Sequence, residues 1–167
     1  MHKFLMPLAI LLGVVACGPN APDLPLLGAI DQQNVAAVQQ HMDAGTDPNT
    51  TFIPEGYPFA GASALHLAVL KDNAEIVDIL LKSGAQIDIK AKDVFGSTPL
   101  IWAAFWGVAD MVPLLVERGA SLDAVDVLGN KPLDAARAKN GWIEERDRLE
   151  FAVDREVIIR YLEERGS

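Results

Sequence analysis

An all-α solenoid of about four helix-turn-helix repeats, joined by hairpin loops, is the fold this sequence predicts. Three observations predict it. A start pattern recurs at Ser63-Ala64-Leu65-His66-Leu67-Ala68, Thr98-Pro99-Leu100-Ile101-Trp102-Ala103 and Lys131-Pro132-Leu133-Asp134-Ala135-Ala136, with spacings of 35 and then 33 residues. Downstream, Glu75-Ile76-Val77-Asp78-Ile79-Leu80-Leu81-Lys82-Ser83-Gly84-Ala85 aligns with Asp110-Met111-Val112-Pro113-Leu114-Leu115-Val116-Glu117-Arg118-Gly119-Ala120. Leu65, Ala68, Val77, Leu80 and Leu81 fall on one side at helical spacing, so each helix pair has an apolar face that it cannot bury alone. Stacking on the next pair buries that face, and at least about three repeats are needed for a stable stack.

The first segment of the chain has a different character. Met1-His2-Lys3 is followed by an apolar run from Phe4 to Ala16 and then by Cys17. This is the charged start, short apolar core and small-residue cleavage site of a secretory signal, and thirteen apolar residues are too few to span a bilayer comfortably. Val14-Val15-Ala16-Cys17 resembles the lipobox of bacterial lipoproteins. That resemblance implies cleavage after residue 16 and a diacylglyceryl-type anchor on Cys17; the alternative is a plain signal peptide or uncleaved anchor that ends in cysteine. Two or more acyl chains hold a protein on a membrane stably, whereas one is marginal. In the sorting pattern of such lipoproteins an Asp after the cysteine favours the inner membrane; Gly18 stands there, which points to the periplasmic face of the outer membrane. Residues 17–25, Cys-Gly-Pro-Asn-Ala-Pro-Asp-Leu-Pro, have little to bury and read as an extended tether.

The body, residues 26–167, is expected to form one domain with repeats at about 26–50, 63–92, 98–126 and 131–166. A chain of 167 residues that is 50% hydrophobic can bury one substantial core. In the first repeat the start has decayed to Leu24-Pro25-Leu26, while Val35, Val38, Met42 and the run Asp43 to Asn49 keep the second-helix and turn pattern; Gln32, Gln33, Gln39 and Gln40 suit a face in water. In the third and the last repeats, Pro99 and Pro132 sit where a first helical turn has no internal partner for its N–H. Gly45, Gly84 and Gly119 follow second helices, where a left-handed residue is needed. In the last repeat Ile158, Ile159, Leu162 and Gly166 match the second helix after about 14 extra residues, within which Glu144 and Arg148 stand four apart and predict a lengthened, exposed helix from about Trp142.

A Thr-Pro-Leu-His-type start, two short helices and Gly-Ala before a hairpin make the chain from Leu26 to Gly166 similar to the ankyrin-repeat family. The resemblance implies binding through the hairpin tips and the exposed edge of the first helices. The matching positions are Phe59, Ala60, Ala62, Leu70 and Lys71, then Val94, Phe95, Ser97, Phe105 and Trp106, then Val127, Leu128, Asn130, Ala138 and Lys139. Of these Phe59, Leu70, Lys71, Val94, Phe95, Phe105, Trp106, Val127 and Leu128 are the expected partner-binding residues, and many are large and apolar where solvent is expected. The first hairpin carries about six extra residues, and its stretch from Thr50 to Ala62 includes Phe52, Ile53, Tyr57 and Phe59. This loop either docks a partner or folds back over Phe95 or Trp106 as a satellite core.

Charge narrows the partner. The formal charge is -9, and residues 1–16 hold one Lys and no acid, so their removal leaves -10. Such a body repels phosphate backbones, which argues against nucleic acid and makes a basic protein surface the natural target. Cys17 is the only cysteine, so no internal disulfide is available.

Catalytic chemistry finds no foothold. His66 occupies the start-motif histidine, whose role the family resemblance makes structural. His41 lies near Asp43 and Asp47 but without ligand spacing on a common face, so a solvated helix end is expected there. No Ser-His-Asp or Cys-His set and no Gly-rich phosphate loop can be assembled. Glu144, Glu145, Asp147 and Glu150 alternate with Arg146 and Arg148 as a solvated helix face. The expected function is a monomeric, cofactor-free binding scaffold that helps a periplasmic protein, as some bacterial ankyrin proteins do in peroxide defence. A membrane-tethered immunity protein against an antibacterial toxin is the alternative; a hydrolase is a third class.

Overall fold

The computed structural model describes residues 22–138 and 148–166. The expected leader with Cys17, the beginning of the expected tether, Lys139, and the expected helix between Trp142 and residue 147 lie outside the described residues. Within them the chain forms eight helices: α1 (Leu26–Asp31), α2 (Val35–Asp43), α3 (Ala64–Leu70), α4 (Ala74–Lys82), α5 (Pro99–Trp106), α6 (Met111–Glu117), α7 (Pro132–Arg137) and α8 (Arg148–Arg165). The fold is all-α, an ankyrin-type solenoid, and the only β pairing among the described residues is an isolated bridge between Phe52 and Ser63.

Local chemistry starts and stops each helix. Asn34 and Asn73 accept the backbone N–H of Ala37 and Ile76 at 3.1 and 3.0 Å, which caps α2 and α4. Thr98 Oγ1 accepts Ile101 N–H at the head of α5, where Pro99 is the first helical residue. Each second helix of the first three pairs closes alike. Thr46, Ala85 and Ala120 donate to His41, Leu80 and Leu115, and Gly45, Gly84 and Gly119 donate to Met42, Leu81 and Val116. With φ of 80°, 90° and 95° at the three glycines, this is the Schellman closure that the glycine positions predict.

The helices stack as pairs, α1 on α2, α3 on α4, α5 on α6 and α7 on α8, and pair joins pair through α1–α3, α3–α5, α5–α7 and α2–α4. Ile30, Leu65, Ile76, Leu80, Leu100, Leu115, Ile158 and Leu162 are fully buried along the stack. Helix α5, flanked on both sides, buries six of its residues from Pro99 to Ala104, which is why it is apolar all round. Polar ties at the repeat junctions set the register. Asn49 accepts Gln86 N–H at 2.7 Å and donates to Gly84 O at 2.9 Å, and Asp88 accepts Ser121 N–H at 3.1 Å. Arg118 makes a two-pronged contact to Asp78, with both bonds at 3.0 Å.

Candidate docking site at the hairpin tips

Two hairpin tips are built from the same tetrapeptide pattern, Asp93-Val94-Phe95-Gly96 and Asp126-Val127-Leu128-Gly129. In the first, Asp93 Oδ1 accepts the N–H groups of Phe95 and Gly96 at 3.0 and 2.7 Å. In the second, Asp126 Oδ1 accepts those of Leu128 and Asn130, both at 2.8 Å, and Oδ2 accepts the Asn130 side chain at 2.9 Å. Burial works against the Asp126 charge, but these bonds from Asn130 and Leu128, joined by Gly129, hold its carboxyl below the usual range. Gly96 and Gly129 take the left-handed residue that completes each turn, at φ 57° and 83°.

With the carboxylate inside, the two apolar side chains of each tip stand outside. Val94 is 81% exposed, Phe95 51%, Val127 64% and Leu128 70%. The tips touch, since Val127 N–H donates to Phe95 O at 2.8 Å. Four large apolar side chains on adjacent turns, fixed by carboxylate-to-backbone bonds, form a preorganised contact surface of the sort that marks interaction sites.

The remaining expected docking residues divide. Phe59 crosses from the long first hairpin onto α5, with its ring centroid 5.6 Å from Trp106 edge-on and 5.9 Å from Trp102. Phe105 meets Trp106 edge-on at 5.2 Å. Phe59, Phe105 and Trp106 are therefore half-buried against one another, and the loop reaches Trp106, not Phe95. Leu70 is half-buried, and Lys71 is engaged by Asp31 at 2.6 Å. Solvent exposure was expected for Ala62 and Ser97, and here the structure corrects the reading. Ala62 O accepts Ile53 N–H inside the long hairpin, and Ser97 O accepts both Ala91 N–H and the His66 ring, so both residues are buried. Ala60, Asn130 and Ala138 are half-buried.

Both described histidines are structural. His66 Nε2 lies 3.0 Å from Ser97 O, an atom that can only accept, so Nε2 carries the proton; Nδ1 then accepts Ser63 N–H and lies 2.8 Å from Ser63 Oγ. His41 is not at a solvated helix end: it is 4% exposed, donates from Nε2 to Leu24 O at 2.7 Å, and has Thr46 Oγ1 at 3.1 Å from Nδ1. The correction has a physical cause, because the segment before α1 returns across α2 and covers the ring. Among the described residues no three His, Cys, Asp or Glu side chains gather as a metal would need, and no helix is long and apolar enough to cross a membrane.

The residues that position the tips, Asp93 and Asp126, were missed by sequence reasoning. The signal was present in the Asp-Val-x-Gly pattern repeated 33 residues apart.

Comparison with known proteins agrees with this geometry. The family model for ankyrin repeats, in three copies, matches residues 26–140. The chain is similar to Protein PhlB of Serratia liquefaciens, 34% identical over 112 residues that cover 67% of this chain and 46% of that protein. It is also similar to protein phosphatase 1 regulatory subunit 27 of Homo sapiens, 43% identical over 75 residues that cover 45% of this chain and 47% of that one. A third match, protein phosphatase 1 regulatory subunit 12A of Mus musculus, is 34% identical over 77 residues, or 46% of this chain and 7% of that one. The matched region spans less than half the length of each of these relatives.

Proposed function

Because the chain belongs to the ankyrin-repeat family, we propose that it is a non-catalytic protein-binding module, tethered by a lipid on Cys17 to the periplasmic face of a bacterial outer membrane, where it serves one periplasmic protein as scaffold or helper. The binding part of this reading is carried by one observation: Val94, Phe95, Val127 and Leu128 stand exposed on two adjoining turns whose backbones are tied down from within. A surface so fixed loses little conformational entropy on docking. The membrane part is supported by the leader and the lipobox-like Val14-Val15-Ala16-Cys17.

Affinity capture from the native envelope, run in parallel with the Val94→Asp plus Leu128→Asp variant, tests the binding part. A partner held by the parent and lost by the variant is expected; a partner retained by both would move docking elsewhere. Fatty-acid labelling with Cys17→Ser as control tests the anchor. The acidic body favours a second reading, an immunity protein that occludes a basic toxin. Deletion that sensitises cells to killing by sister cells supports immunity, and deletion harmful only under oxidative stress supports the helper role.

A further inference from the structure

The long first hairpin does more than cover Trp106. Its end leans on the second hairpin: Lys92 N–H donates to Gly61 O at 2.8 Å, and the backbones approach so closely that a Cβ on Gly61 would lie 2.6 Å from Asp93 N. Beside that contact an open cavity of about 390 Å³ lies between the two turns, lined by Glu55, Ala60, Gly61, Lys92, Asp93 and Val94. Its size and openness suit an inserted side chain better than an enclosed small molecule.

The lining has two halves. Ala60, Gly61 and the exposed Val94 supply its apolar part. The rest of the lining is two carboxylates and one ammonium. Asp93 uses Oδ1 for the turn, and Glu55 is exposed with no partner among the described residues. Lys92 is drawn aside, its Nζ 3.7 Å from the centre of the Phe52 ring. One negative charge is therefore left over at the mouth. The surroundings have the same sign, since residues 22–138 contain 15 acids and 7 bases, a net -8. Past Val94 the exposed apolar surface continues through Phe95 to Val127 and Leu128.

We propose that this notch receives a Lys or Arg side chain from a partner protein, its stem along Ala60 and Val94 and its cation beside Glu55, while apolar neighbours in the same extended segment lie on Phe95, Val127 and Leu128. The inference rests on the docking reading above and gives that partner a chemistry. A second copy of this chain is disfavoured, because two bodies of the same strong negative charge repel. The notch is built on one side from Glu55, Ala60 and Gly61 of the long first hairpin.

A random twelve-residue peptide display library, selected on the full-length protein in detergent micelles, provides the probe. Enriched peptides are expected to carry Lys or Arg within two residues of a large apolar side chain. Fluorescence polarisation of one such peptide should show affinity falling as salt rises, a loss of roughly tenfold in Glu55→Lys, a smaller loss in Glu55→Gln, and a loss in Leu128→Asp. Glu55 is exposed and has no partner among the described residues, and thermal melts that match the parent check that its variants stay folded. Peptides that lose binding in Leu128→Asp but bind Glu55→Lys as tightly as the parent overturn the notch and leave the docking face standing. Peptides indifferent to both substitutions, or no enrichment at all, overturn the docking face as well.

Discussion

His66 shows how much one buried ring can commit. Burial pushes its pKa down to about 4, against partial compensation from the Ser97 carbonyl and the Asp93 charge. A histidine neutral in the fold and basic when unfolded lets the unfolded chain bind the extra proton, so its contribution is full above about pH 6.5 and drains away as pH falls toward 4. The size is roughly 3 kcal/mol across that window. Urea unfolding between pH 7.5 and 4.5 should show this loss, and His66→Gln, which is less stable at neutral pH, should show a flatter profile there; a parallel slope in both proteins would assign the pH dependence to other groups. Gly61 makes the opposite kind of commitment, an absence of atoms. Its φ of 85° and the 2.6 Å approach to Asp93 N predict that Gly61→Ala costs roughly 2–4 kcal/mol, from strain plus forced separation of the hairpins. Gly84→Ala, with φ of 90° but open space around it, should cost only about 1 kcal/mol in the same thermal melts. Of these residues, the chain spells out His66 and Gly84 through the repeat pattern. Gly61 and His41 it does not, because a close approach and a ring covered by Leu24 both depend on where a distant backbone returns.

Elements repeat the lesson in a different form. The proline starts, the glycine closures and the stripes of α3 and α4 were readable because each is a local rule copied at a fixed interval. The long hairpin was readable as an ordered aromatic loop that either docks a partner or folds back over Phe95 or Trp106, but the choice was not readable, since Phe59 reaches Trp106 on α5 only by taking φ of 60°, a conformation rare outside glycine. At the tips the Asp93 and Asp126 turns hold apolar side chains outward, so removing a carboxylate should loosen the docking surface before it unfolds the stack. Asp126→Ala is expected to cost roughly 1–3 kcal/mol by leaving the Leu128 and Asn130 N–H groups unpaired, and Asp126→Asn, which keeps one acceptor oxygen, less than half of that. Amide exchange at Leu128 and Asn130 is the measurement, and unchanged protection in Asp126→Ala would show that the turn holds without its carboxylate. The six-residue α7 depends on a partner of another kind. Arg155 on α8 donates to Ala136 O, by Nε at 2.7 Å, and its Nη2 also reaches Ala138 O, so a side chain from the next helix closes a helix too short to close itself. No local pattern announces such a cap, because donor and acceptor lie about twenty residues apart.

At the scale of the whole stack, each pair touches only its neighbours, so stability is a chain of interfaces and the position of a defect decides how far it spreads. Leu100 in α5 lies in the middle, fully buried, with α3 on one side and α7 on the other. Leu162 in α8 is as well buried, but α7 is the neighbour that α8 packs on and nothing described lies beyond it. Each substitution to Ala removes similar apolar volume and costs about 2–5 kcal/mol at the site. The consequences should differ. Leu162→Ala is expected to open α7 and α8 locally while α3 to α6 keep their exchange protection, and unfolding should lose its single sharp transition. Leu100→Ala breaks the interface that joins the two halves, so protection should fall on both sides of it and the melt should shift as one. The tips sharpen the comparison, because the Val127–Leu128 turn sits at the head of α7 and the Val94–Phe95 turn at the head of α5. Leu162→Ala should therefore weaken ligands that need Leu128 more than ligands that need Val94, with no contact made or lost at either tip. Hydrogen exchange followed by mass spectrometry reads both variants segment by segment. Equal, chain-wide loss in the two would mean that the stack unfolds as one indivisible unit, and the nearest-neighbour account of its stability would have to be abandoned.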